Sequence, residues 1–125
     1  MRLSIVSGDE GARAEFQPDA RWEGYPGVVH GGVISALLDD LMFHAISVAI
    51  GQPTVTASME VRFHHPAHIG SRLYCEARVG ERRRSNLIEA RGEIRSQDGR
   101  LIANAKSKFI IMPKAKMDGF VGTDC

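Results

Sequence analysis

The chain has 125 residues, 43% hydrophobic and 25% charged, a balance that suits one globular domain spanning residues 1–125. Sixteen basic and fifteen acidic residues leave a formal net charge of +1, which gives no reason to expect a nucleic-acid or membrane-surface binder. Two cysteines, Cys75 and Cys125, are too few for a disulfide framework, and "MRLSIVSGDEG" has no apolar core of a signal peptide, so a soluble cytoplasmic protein is the expectation.

No internal repeat or low-complexity tract interrupts the chain. Residues from about Ala12 to Pro18 read as a short strand. "WEGYPGVVHGG" is rich in glycine and holds a proline, which marks a loop. An apolar helix follows from about Gly31, with Gly51 and Pro53 as its stop signal, giving roughly 20 residues or about 30 Å. Asp39, Asp40 and His44 break its apolar run and make it a poor membrane span.

After the helix the period changes to two. "TVTASMEVRFHHP" reads as a strand closed by Pro66. "SRLYCEARV" alternates, with Leu73, Cys75, Ala77 and Val79 on one face, and Cys75 is expected in the core. "GERRRSN" puts Arg82, Arg83 and Arg84 at a turn. "NLIEARGEIR" sets Ile88, Ala90, Gly92 and Ile94 on one face, Asp98-Gly99 reads as a hairpin turn, and "LIANAKSKFIIMP" is the last strand. The tail from about 114 to 125 is polar and is expected to fray.

One long helix and four antiparallel strands predict an α+β chain of the hotdog architecture, a sheet wrapped around a long central helix. A helix apolar almost all round needs cover on both sides. The second cover is expected to be another copy of the chain, so a homo-oligomer, a dimer or a dimer of dimers, is predicted.

The two adjacent aspartates point about 100° apart, so they cannot share a proton. Asp40 has His44 four residues on, a local carboxylate–imidazole partner. Asp39 has Ser35, Ala36, Met42 and Phe43 as helix neighbours and no cation. Such an acid is expected to face a water, a substrate or a partner chain.

"VVHGGVISALLDD" resembles the signature of the PaaI-type hotdog acyl-CoA thioesterases, in the 4-hydroxybenzoyl-CoA thioesterase superfamily. That signature is His-Gly-Gly with an acidic residue nine positions after the His, and His30, Gly31, Gly32 and Asp39 meet it. "MEVRFHHPAHIG" and "GRLIANAKSKFIIM" resemble the strands after the helix. The resemblance implies hydrolysis of an acyl-CoA thioester to a carboxylic acid and coenzyme A. It makes Asp39 the general base or nucleophile, the Gly31 N–H an oxyanion donor and Thr56 a water-positioning hydroxyl. His30 joins the catalytic set, although the loop and the glycines after it favour a capping or shaping role. Gly32 lets the substrate approach the backbone.

Thioester hydrolysis builds negative charge on the carbonyl oxygen, which amides at a helix N-terminus suit. Gly31 and Asp39 lie about 12 Å apart along one helix, so one thioester carbon meets both only if they come from different subunits. Many relatives carry Asn or Gln six residues before the His as a second polariser. This chain has Gly24 there, leaving a backbone amide, a water or Tyr25 as replacements.

Arg82, Arg83 and Arg84 are either a solvated hairpin end or a clamp for the phosphates of coenzyme A. His64, His65 and His68 form no metal site by this reading, because strand neighbours face opposite ways and no carboxylate or thiolate completes a set. No metal or redox cofactor is expected. Two other readings remain: a non-catalytic acyl-CoA-binding sensor, and a hotdog dehydratase, for which no convincing His–Asp pair is present.

Overall fold

In the structure, a computed structural model that describes residues 4–7 and 11–113, one helix lies against one antiparallel sheet of six strands. The tail from Lys114 lies outside the described residues. Strands β1 (Ser4–Ser7) and β2 (Gly11–Phe16) come first, then a short 3-10 turn (Ala20–Trp22) and helix α1 (Gly31–Ile50). Strands β3 (Thr54–Phe63), β4 (Leu73–Arg84), β5 (Leu87–Ser96) and β6 (Leu101–Ile111) follow. The sheet order is β1-β2-β4-β5-β6-β3, so the strand that leaves the helix forms an edge.

The helix buries Ile34, Leu37, Leu38, Leu41, Met42, Ala45 and Ile46, a stripe at three- and four-residue spacing that lies on the sheet. Gly92 sits beneath it on β5. A Cβ there would stand 3.1 Å from Leu38 Cδ2 and 3.3 Å from Met42 Cγ, so the glycine lets helix and sheet approach closely. Gly51 ends the helix with φ +67°, in the left-handed region. By length and composition alone this helix could cross a membrane, yet its apolar stripe packs on the sheet. The opposite side, with Ala36, Asp39, Asp40, Phe43 and Val48, has no such cover among the described residues and is half-buried or exposed.

The expected alternation holds on β4 and β5. Cys75 stands opposite Ile94, Ala77 opposite Gly92 and Val79 opposite Ala90, all facing the helix. Burial pushes the Cys75 thiol up to about 12, so it stays protonated at neutral pH. In a Cys125→Ser variant, we expect no reaction of the native chain with a thiol reagent at pH 8 and one thiol per chain after denaturation. Rapid labelling of the native chain would mean that this strand face opens to solvent.

Three features differ from the sequence reading. Strand β1 (Ser4–Ser7) precedes the first strand that the sequence pattern predicts. Arg82, Arg83 and Arg84 belong to the end of β4, and the turn is Ser85–Asn86, because β4 extends its pairing with β5 to Arg84 opposite Leu87 through two register shifts. Strand β3 changes phase. Thr54 and Thr56 stand opposite the buried Ile111 and Phe109, then Ser58 stands opposite exposed Lys108, while Met59, Val61 and Phe63 meet Ser107, Ala105 and Ala103. Ala57 is the extra residue of a β-bulge that switches the inward set from even to odd positions.

Candidate functional site

The start of α1 is organised by His30. Its Nδ1 accepts the Gly32 N–H at 2.8 Å, and its carbonyl accepts the N–H groups of Val33 and Ile34 at 3.0 and 3.3 Å. A helix begins with four amides that lack intrahelical partners. Here the His30 N–H goes to the Trp22 carbonyl, the Gly32 and Val33 amides bond to His30, and the Gly31 N–H alone has no acceptor among the described residues. His30 is therefore the N-cap, while the Gly32 amide is already engaged. The loop before it is fastened by His30 N–H to the Trp22 carbonyl at 2.7 Å and Val29 N–H to the Ala67 carbonyl at 2.8 Å.

Gly24, Tyr25, Val28, Val29, His30 and Gly31 line an open hollow of about 410 Å³. A Cβ on Gly24 would stand 3.2 Å from His30 Cα, so a side chain there would press on the cap. The Gly24 amide donates to the Val28 carbonyl at 2.8 Å and offers a ligand nothing further. The Tyr25 side chain is free on the same hollow, 82% exposed.

Asp39 and Thr56 come together. The Thr56 hydroxyl donates to Asp39 Oδ1 at 2.9 Å, linking the middle of the helix to the edge strand. Thr56 faces inward here because it lies before the bulge, in phase with Thr54. Asp39 is half-buried and has no cationic partner among the described residues, as its helix neighbours suggested. One oxygen held by a hydroxyl leaves the other free to meet a water or a carbonyl carbon.

Asp40 and His44 do not pair. Both are exposed, no hydrogen bond or ion pair joins them, and His44 meets the Phe43 ring edge-on with centroids 6.2 Å apart. Helix spacing put them on one face but did not bring the side chains together.

The three arginines do not form one fork. Arg82 donates to the Ser85 carbonyl at 2.6 Å, Arg83 pairs with Glu89 at 2.9 Å, and Arg84 has no partner among the described residues. The hydrogen bond from the Arg83 guanidinium holds the Glu89 carboxyl below the usual carboxylate range. His64 Nε2 meets Asn104 Oδ1 at 2.7 Å, and His65 Nδ1 meets the Leu101 carbonyl at 3.0 Å. Among the described residues, no cluster of His, Cys, Asp and Glu could hold a metal ion.

Sequence reasoning missed two features of this region. One is the bulge at Ala57, whose signal was the phase change between Thr56 and Met59. The other is Phe63. Its Cε1 and Cζ lie 3.6 Å from the point where a Cβ on Gly31 would stand, which sets its ring against the free amide's residue.

The chain is similar in fold to the E. coli PaaI protein from the phenylacetic acid degradation operon, at 23% identity and a TM-score of 0.82, over 90% of this chain and 80% of that one. A Streptococcus mutans protein bound to acetyl CoA matches at 19% identity and a TM-score of 0.83, over 91% of each chain. A hypothetical thioesterase of Streptococcus pneumoniae, solved with coenzyme A, matches at 16% identity and a TM-score of 0.83, over 90% of this chain and 88% of that one. No curated protein matches the sequence. The model of the thioesterase superfamily matches residues 26–103, a span that holds the His30 cap, the free Gly31 amide, Asp39 and Thr56. This chain, a helix on an antiparallel sheet in the hotdog fold, belongs to the thioesterase superfamily.

Proposed function

We propose that the protein is an acyl-CoA thioesterase whose site is shared between two copies of the chain. The observation that carries this reading is the Thr56–Asp39 hydrogen bond, which holds an uncharged-partner carboxylate at the uncovered side of the helix. Membership of the thioesterase superfamily supports it, as do the relatives solved with coenzyme A or acetyl CoA.

In the proposed reaction the Gly31 N–H of one subunit receives the thioester carbonyl oxygen and stabilises the charge that develops there. Asp39 of the other subunit attacks the carbonyl carbon or takes a proton from a water that does so. Thr56 fixes the orientation of that carboxylate. The C–S bond breaks, the sulfur leaves and is protonated to free coenzyme A, and water supplies the oxygen of the carboxylic acid. No metal or redox group is needed for these steps.

The 12 Å rise between Gly31 and Asp39 requires the second copy (about 1.5 Å per residue). The helix face with Phe43 and Val48 at 40% and 53% exposure, and the edge of β3, both without a partner among the described residues, are the surfaces we assign to it. Of the arginines, Arg84 is free to meet a coenzyme A phosphate, and Arg82 and Arg83 would exchange their present partners to do so. Gly32 is not assigned to the substrate: a Cβ there would stand 3.0 Å from His30 Nδ1, so its bare Cα makes room for the capping imidazole. We assign the protein to the cytoplasm.

The test is free-thiol release from short, medium, long and aromatic acyl-CoAs. Release with any of them supports the thioesterase. The second reading, an acyl-CoA sensor, is favoured by the single free donor at the helix start. Binding without release by the wild-type chain would select it. Consumption of an enoyl-CoA without thiol release would select a dehydratase.

A further inference from the structure

We infer that Phe63 is a substrate-contacting residue whose ring packs on the planar acyl-thioester group held at Gly31. The inference rests on the reading of Gly31 above. Phe63 lies on the inward face of β3, opposite the fully buried Ala103, yet it is 55% exposed. Other inward aromatics on the sheet behave differently: Phe16 and Phe109 are buried. A large ring on the core side of a sheet that does not enter the core is left with another contact to make.

Its position says what that contact is. The ring tip stands beside Gly31, 3.6 Å from where its Cβ would be, and Gly31 carries the one helix-start amide without an acceptor among the described residues. An acceptor bound to that amide therefore lies beside an aromatic wall. Flat groups such as a thioester and its first acyl carbons stack on such a wall, and the ring strips water from the carbonyl oxygen. Phosphate or ribose, bulky and strongly hydrated, gains nothing there. Phe63 thus reads the acyl end of the substrate and not its nucleotide end.

The experiment compares Phe63→Ala and Phe63→Leu with the wild type in two binding titrations. One uses a ketone analogue of acetyl-CoA with CH₂ in place of sulfur, and the other uses free coenzyme A. Sedimentation of each variant reports its oligomeric state. The expected result is about tenfold weaker binding of the analogue by Phe63→Ala, less than twofold change for free coenzyme A, and a smaller effect for Phe63→Leu. Equal weakening of both ligands, or of neither, overturns the inference. So does loss of the oligomer in both variants, which would make Phe63 a contact between copies. A wild-type chain that releases no thiol but shows this selectivity would sink the thioesterase reading and leave the role of Phe63 standing.

Discussion

Asp39→Asn is expected to lower turnover by about a thousandfold, the scale of a lost general base or nucleophile, while the chain keeps its fold and oligomeric state. The two side chains have the same shape, and the amide oxygen of Asn still accepts the Thr56 hydroxyl that Asp39 Oδ1 accepts now at 2.9 Å. No ion pair is broken, because Asp39 has none among the described residues. What disappears is the negative charge, the one property that both attack on carbon and proton abstraction from water require. A half-buried carboxylate without a cation carries a desolvation cost, so the melting temperature is expected to stay level or rise. Thiol-release kinetics and thermal unfolding on the same preparation separate the two effects. Wild-type turnover in the variant would assign Asp39 a structural role.

The second large effect is expected from Gly31→Pro. Proline lacks the N–H, and it is well tolerated at the first position of a helix. His30, with φ −60° and ψ 135°, already has the extended backbone that a following proline demands. Gly31 has no positive φ, and a Cβ there meets only the Phe63 ring at an ordinary 3.6 Å. The change therefore removes one donor and little else. We expect kcat to fall by about a hundredfold or more, the cost of one oxyanion donor. Mixing this variant with Asp39→Asn then tests whether the site is shared. Half of randomly formed dimers are hybrids, and each hybrid holds one site with both native groups. Activity should return to about a quarter of the wild-type value. A mixture no more active than its two inactive parents would place both groups in one chain.

The elements that could be read from the sequence were those with strong local signals. The helix ran from Gly31 to a Gly51 stop as its apolar run and Pro53 indicated, and the alternation of Leu73, Cys75, Ala77 and Val79 set one face of β4. Asp39 stood out because no cation shares its helix face. Strand β1 is too short to carry a pattern, and its pairing with β2 is a tertiary fact. The placement of Arg82 to Arg84 depended on how far β4 pairs with β5, which is set by register shifts that local composition does not reveal. The Asp40–His44 pair failed because helix spacing fixes Cβ positions, not where exposed side chains settle. The place of Phe63 required knowing that a bulge shifts the phase of its strand and that the strand ends over the helix start.

The hold of His30 on the helix start has a consequence for which ligands the site refuses. Most helix N-termini present several amides and attract any small anion, so cellular phosphate competes with the intended ligand. Here a phosphate would find one N–H for three oxygens. A carbonyl, which asks for little more than one donor, loses much less. With the other first-turn amides engaged by His30 and Trp22, the helix start is expected to favour a lone acceptor over a free anion, and inorganic phosphate is expected to inhibit the proposed reaction only weakly.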